Sequence, residues 1–389
     1  MRLKSATAIA GLGITKQGKV YEHNQVGFAI EAIKLALDDA GLTRADLDGV
    51  LLNPGLSWTD GGMGAFGLQQ AMGLHNLRLA HTMNAGGATA GAMIHQAVEA
   101  IATGMATTVA CVFSDAPLKP PAPKAEGKSS GSAAAYAFGR GLEAAYGQFG
   151  VNAMYALVAQ RHMHLYGTTN DHLGAIAVAE RQWANKNPQA QFYDTPMTLD
   201  DYRRSRWIVE PFRLFDCCLV SNGGVAVIVT SAERARDLKR PPVYIWGMGQ
   251  GHPGGDPSET LTSGAPLAKE QAFTMAGITL GDIDVVELYD CYTFTVLVCL
   301  EDYGFCKKGE GGPFAADGKL APGGALPVNT GGGQLSSFYM WGMTPVSEGV
   351  IQIRGDGGAR QVPDAKVALV SGNGGILSTH STLVLANEP

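Results

Sequence analysis

Residues 40–52 read AGLTRADLDGVLL and residues 276–288 read AGITLGDIDVVEL, and the two align without a gap. Ala40, Gly41, Thr43, Asp46, Asp48, Val50 and Leu52 recur as Ala276, Gly277, Thr279, Asp282, Asp284, Val286 and Leu288. Leu42/Ile278 and Leu47/Ile283 keep their apolar character. One unit is used twice in this chain. In each copy a helical run, AIEAIKLALDDAG (29–41) or KEQAFTMAG (269–277), stops at glycine and passes through an Asp-bearing turn into an apolar strand. That is the pattern of a helix C-cap running into an αβ loop.

The echo continues downstream. NAGG (84–87) precedes a helix and the strand VACVFS, and NTGG (329–332) precedes a helix and the strand VALVSG. The sequence therefore predicts an α/β protein of two βαβ-rich halves related by a pseudo-twofold axis, residues 1–245 and 246–389. An insertion of about 115–207 lies within the first half. Its later part carries two helical runs, YALVAQRHMHLYG (155–167) and LGAIAVAERQWANKNP (173–188). Residues 116–134 form a Pro/Ser/Gly stretch that packs no core of its own and is expected to be a lid or flap.

A net charge of -6 and the absence of a basic stripe argue against nucleic acid and anionic membrane as partners, because both demand clustered Lys and Arg. MRLKSATAIAGLG at the start imitates a weak signal peptide, but glycines at 11 and 13 break its apolar run, so a first strand is expected. No apolar stretch is long enough to span a bilayer. Cys111, Cys217, Cys218, Cys291, Cys299 and Cys306 lie in apolar segments without a CxxC pair, which predicts buried thiols, a reduced cytoplasmic setting and no intrinsic metal.

Several motifs fail on context. Gly62, Gly64 and Gly67 match GxGxxG but follow SWTD instead of a strand. GKSSG (127–131) lies in the Pro/Ser loop, where a nucleophile elbow has no strand to stand on. His162 and His164 are two apart on a predicted helix, so they point in different directions and share no metal. Cys217 and Cys218 lead into a strand, where packing is the default role.

Taken together, the duplicated halves, RHMHLYGTT and NKNPQA in the insertion, ELYDCYTF (287–294) and LPVNTGGGQLSS (326–337) resemble the thiolase superfamily, in its sterol-carrier-protein-type branch. The resemblance covers nearly the whole chain and implies a five-layer α/β/α/β/α fold. Members that perform thiolysis carry a cysteine in strings such as GCASG; matching NAGGATAG to that string puts Gly87 in its place. A His-Asp-Cys-Phe-like string becomes Tyr289, Asp290, Cys291, Tyr292, and GGQLSSFYM puts Tyr339 where a second histidine belongs. A second customary cysteine aligns with Gly372.

Two histidine positions have thus become tyrosine while the thiols have become glycine. This pattern resembles the thiolase-like aldolases of steroid side-chain degradation, which implies retro-aldol cleavage of a β-hydroxyacyl-CoA into a ketone and a short acyl-CoA such as propionyl-CoA. Tyr289 and Tyr339 would be the proton-transfer groups, with Asp290 and Cys291 in support. Retro-aldol cleavage needs no thiolate, whereas thiolysis does. A phenol of ordinary pKa is a poor base near neutrality, so a neighbour that lowers one phenol or relays its proton is required. Gly87, at a helix start, is expected to leave room for substrate and offer amides to the enolate oxygen. Asn329 and Gly372 are expected to shape the same pocket. The resemblance further implies a homodimer, a small partner subunit of OB-fold and zinc-ribbon type, coenzyme A as part of the substrate, and no intrinsic cofactor. Two other readings compete: a thiolase or acyltransferase subunit using Cys291 together with a partner, and a non-catalytic acyl-CoA or lipid-binding protein.

Overall fold

The computed structural model describes residues 3–58, 64–121, 150–254 and 261–389. The first half runs β1 (Thr7–Ile14), α1 (Gln25–Ala40), β2 (Gly49–Pro54), α2 (Ala65–Met72), β3 (Leu79–Thr82), α3 (Thr89–Ala102) and β4 (Thr108–Asp115). The insertion adds α4 (Gly150–Tyr166), α5 (Asn170–Ala184), α6 (Leu199–Arg204) and a small hairpin, β5 (Trp207–Val209) with β6 (Phe212–Arg213). The chain returns through β7 (Gly223–Ser231) and α7 (Ala232–Arg236). The second half comprises β8 (Val243–Gly251), α8 (Ala265–Ala276), β9 (Val285–Glu287), α9 (Thr293–Tyr303), α10 (Gly311–Ala316), α11 (Met343–Arg354), β10 (Val367–Gly374) and β11 (Thr379–Ala386).

Strand order shows the duplication directly. Outward from the middle, the first half reads β1-β7-β4-β2-β3 and the second β8-β11-β10-β9. A parallel bridge from Val286 to Val328 supplies the counterpart of β3. In both halves the inner pairings are antiparallel and the outer ones parallel. The halves join where β1 meets β8, through Ala8↔Tyr244 and Ile9↔Val243. β8 starts at Val243.

Helix α1 covers the outer face of the first half-sheet and α8 that of the second, while α3 and α11 each touch strands of both halves. The layers are therefore helix, sheet, helix, sheet, helix. Glycine sets the outer spacing: a Cβ on Gly11 or Gly13 would run into the Ala36 or Ala32 carbonyl of α1, and one on Gly247 or Gly249 into the Ala272 or Ala268 carbonyl of α8. The glycines that break the N-terminal apolar run thus let a helix backbone rest on strand β1.

The residues identical between the repeats make identical bonds. Gly41 and Gly277 close α1 and α8 in the left-handed conformation. The Asp46 carboxylate accepts from the Thr43 amide and hydroxyl, and Asp282 does the same with Thr279. Asp48 accepts the amides of Thr107 and Thr108 at the start of β4; Asp284 accepts those of Lys366 and Val367 at the start of β10.

The flap expected over 116–134 lies, from residue 122 on, outside the described residues, as do Gly62 and the GKSSG string. Among the described residues no helix is long and apolar enough to cross a membrane, and no cluster of three His, Cys, Asp or Glu residues is placed to hold a metal ion. All six cysteines are free, but the expectation that all are buried needs correction: Cys217, Cys218 and Cys306 are only partly covered. His162 is a core residue, bonded to Thr168 Oγ1 (2.9 Å) and Glu301 Oε2 (3.0 Å), whereas His164 faces solvent.

Candidate active site

Three chain segments meet at one point. Tyr289 follows β9 and precedes α9; Tyr339 follows the wide turn Gly333–Ser337 and precedes α11; Gly87 lies in the turn that opens α3. The first two come from the second half and the third from the first half, so the middle helix layer brings them together. The ends of parallel strands are where open α/β sheets place ligands.

The turn before α3 is built from side chain to backbone. Asn84 Oδ1 accepts from the Gly86 amide (3.1 Å), and Thr89 Oγ1 accepts from the Ala85 amide (2.8 Å). Gly86 takes φ +57, which favours glycine, and its Cα rests on Gly374. Strand β10 presses its backbone on this turn: a Cβ on Gly372 would meet the Gly87 carbonyl and Ser381 Oγ at 2.6 Å. Gly372 is therefore a packing glycine where backbone meets backbone.

The structure corrects the expected purpose of Gly87. A Cβ built there would overlap the ring of Tyr289 and the carbonyl of Asn373. The volume surrendered by the missing side chain is filled by the phenol, so it is not left open for substrate. The amides of Ala88 and Thr89 at this helix start also donate within the turn, to Ala85 (3.2 Å) and Gly86 (3.1 Å), so these two are not free for an enolate oxygen. Gly87 and Tyr289 are matched in volume: the ring occupies the space that a side chain at 87 would need.

The hydroxyl of Tyr289 lies 3.1 Å from that of Tyr339. Tyr289 is buried and Tyr339 half-buried. The Tyr339 amide donates to Ser221 Oγ (3.1 Å), which also receives Gln191 Nε2 (2.8 Å), so the segment before β7 and the insertion both hold it. The nearby Trp341 stacks on Phe113, with centroids 5.4 Å apart.

Burial pushes the Tyr339 phenol well above its ordinary pKa, and Tyr289, Cys218 and Cys291 push it further. The sequence demanded a neighbour that lowers one phenol or relays its proton; the groups around Tyr339 do not lower it and favour its neutral form. Burial also holds Cys218 well above the thiol range and Cys291 up at about 12. Neither is a ready thiolate.

Asn329 lines a small cavity shared with Leu288, Asp290 and Gly333 but with neither tyrosine. It is buried at φ +51, its Oδ1 accepts from the Leu288 amide (2.7 Å) and its Nδ2 donates to Glu180 Oε1 (2.8 Å). Asp290 Oδ2 accepts the amides of Gln334 (2.6 Å) and Leu335 (3.1 Å). Both residues act on the frame behind the phenols. Sequence reasoning missed Glu180, although the signal was present: it falls on the buried stripe Leu173, Ile176, Ala177, Ala184 of α5, a carboxyl at an apolar position. Cys218, for which packing was the expected role, lies beside Tyr339. A cleft of about 730 Å3 lies elsewhere, lined by Leu12, Asp39, Asn187, Tyr193 and Arg360 among others, and contains neither tyrosine.

This fold, with two phenols in contact beside a glycine at the start of α3, is that of a thiolase-like enzyme. Residues 254–387 match the family model described as "Thiolase C-terminal domain-like". The chain is 37% identical to "Steroid side-chain-cleaving aldolase" of Thermomonospora curvata over 96% of each chain. It is likewise 37% identical to "17-hydroxy-3-oxo-4-pregnene-20-carboxyl-CoA lyase" of Mycobacterium tuberculosis, over 91% of this chain and 92% of that one. A solved structure described as the "Ltp2-ChsH2(DUF35) aldolase" superposes with a TM-score of 0.88 at 36% identity, covering 100% of both chains. The chain belongs to the thiolase superfamily, among its steroid side-chain-cleaving aldolases, and is a lyase of thiolase fold. That membership removes the reading as a non-catalytic carrier.

Proposed function

We propose that this chain cleaves a β-hydroxyacyl-CoA, the CoA ester of a steroid side chain, by a retro-aldol reaction in which Tyr289 and Tyr339 pass one proton between them. The Cα–Cβ bond of the substrate breaks and its electron pair enters the thioester as an enolate. The β-hydroxyl becomes the carbonyl of the ketone and gives up its proton. Cα gains one proton and leaves as a short acyl-CoA such as propionyl-CoA. The proton lost and the proton gained balance, so a pair of neutral phenols in contact can carry it: one accepts from the substrate hydroxyl as it hands its own to the other, which delivers to Cα. Which phenol faces which atom is decided by the substrate pose.

The observation that carries this reading is the 3.1 Å contact between the two hydroxyls beside a glycine where a nucleophile would stand. The rival acyl-transfer reading needs Cys291 as a thiolate, and burial opposes that. The active assembly in this proposal is a homodimer in the cytoplasm with a small OB-fold and zinc-ribbon subunit, and coenzyme A enters as part of the substrate. The similar aldolase structure carries two coupled names, Ltp2 and ChsH2(DUF35), which supports a second subunit.

The test is product analysis on a 17-hydroxy steroid side-chain CoA thioester, with peptide mapping of enzyme quenched during turnover. Equal amounts of ketone and propionyl-CoA, with every cysteine unmodified, are expected. An acyl group on Cys291 or Cys218 would overturn the mechanism.

A further inference from the structure

Behind the two phenols lies a pair of carboxyl groups that the reaction above does not use. Glu180 on α5 and Asp290, one residue beyond Tyr289, are both buried. Gly333, at φ +58, borders both: a Cβ there would sit 2.6 Å from Glu180 Oε2 and overlap Asp290 Oδ2. Among the described residues, Glu180 Oε2 and Asp290 Oδ1 have no donor of their own. Two buried carboxylates side by side without a cation cannot both stay ionised in such a place. The other acidic groups nearby are occupied: Glu287 accepts from the Thr330 amide and hydroxyl, and Glu348 is paired with Arg360. No cation reaches Glu180 or Asp290 among the described residues.

We infer that Glu180 and Asp290 share one proton, resident on Glu180, and that this bond fastens the Tyr289 strand end to the turn that delivers Tyr339. The assignment follows from the partners. Asp290 accepts two backbone amides, of Gln334 and Leu335, and these suit the charged acceptor. Glu180 accepts only the neutral Asn329 amide, leaving its other oxygen to donate to Asp290. Burial, then the Asp290 charge, hold Glu180 well above the carboxylate range, while burial lifts Asp290 only to about 6 because Glu180 and the two amides pull it back. The path is continuous: Tyr289 leads into Asp290, Asp290 grips the 333–337 turn, and that turn leads to Tyr339. Asn329 links Glu180 to Leu288 on the other side of Tyr289. Glu180 and Asp290 are assigned as positioning residues, since their bonds run to Asn329 and to the 333–337 turn.

This inference rests on the two-tyrosine reading for its kinetic arm alone. Its first test is infrared spectroscopy of the wild-type protein and Glu180→Gln at neutral pH. The expected result is one protonated-carboxyl stretch present in the wild type and missing from the variant; an unchanged carboxyl region would overturn the shared proton. The second test compares kcat and KM. Glu180→Ala is expected to lower kcat on the order of tenfold to a hundredfold with little change in KM, the loss typical of misplaced reacting groups. Glu180→Gln is expected to recover most of that loss, because its amide N–H donates to Asp290 as the acid O–H did. Asp290→Asn is expected not to recover, because its amide would face the Glu180 proton. Equal kcat values for Glu180→Gln and Asp290→Asn would contradict the assignment. Absence of cleavage by the wild type on every CoA thioester would defeat the function above and leave the infrared result standing.

Discussion

The two halves of this molecule share a frame and differ at their tips. Asp46 and Asp48 in the first half bond as Asp282 and Asp284 do in the second, capping the same turn and anchoring the same next strand. The turns that follow the outermost strand of each half have parted. In the first, Asn84 is a surface residue that braces a glycine turn. In the second, the matching Asn329 is buried and tied to a carboxyl group. What stayed identical is what any αβ unit needs to hold its strands in register, and what diverged is what meets at the seam. The candidate site therefore belongs to neither half: Gly87 comes from one and the two phenols from the other.

The largest effects should come from the seam. Tyr289→Phe and Tyr339→Phe should each lower turnover at least about a hundredfold, as expected for acid–base groups, with an unchanged fold by circular dichroism. Wild-type turnover in either variant would make that tyrosine an ordinary core aromatic. Gly87→Cys comes next. It places a side chain in the space of the Tyr289 ring, so it should slow the enzyme and destabilise it by about 1–3 kcal/mol, the usual cost of overpacking. A thermal melt and a rate assay suffice, and a faster or more stable variant would contradict the volume match between 87 and 289.

The seam should also have a pH signature. His95 on α3 reaches Gln250 on β8 across the halves, and burial lowers its pKa from 6.5 to about 4. The folded protein holds this imidazole neutral while the unfolded chain protonates it below pH 6.5, so its contribution is present above that pH and lost as pH falls through 4. Between pH 7 and 4 the wild type should lose roughly 3 kcal/mol more stability than His95→Gln, as 1.36 kcal/mol per unit implies. Urea titrations at a series of pH values measure the difference, and parallel curves would contradict it. The smallest effects should come from the frame. Asp48→Ala should cost about 1–2 kcal/mol and Asp284→Ala less, since Asp48 also accepts the Thr107 hydroxyl and is less exposed. Neither should change kcat, and a large kinetic effect of either would blur the division between frame and tips.

What was legible in the sequence follows the same division. The repeat shows itself because its bonds are local: Thr43 to Asp46, Gly41 at the end of α1 and Asp48 at the strand edge all act within a few residues or at a neighbouring strand. Tyr289 and Tyr339 could be singled out because they replace residues at marked positions of a known pattern. The reason for Gly87 could not be read, because the ring that fills its space lies in the other half of the chain. Glu180 was hidden for a similar reason: helical periodicity puts it on the buried stripe, but its partners Asp290 and Asn329 become neighbours only when α5 packs beneath the second half.

A double-mutant cycle tests the two phenols most directly. If Tyr289 and Tyr339 carry one proton as a unit, kcat/KM of the variant lacking both hydroxyls should match that of the slower single variant, because breaking a relay twice costs no more than breaking it once. Losses that multiply would show two groups working independently, and the account of a shared proton path would be wrong.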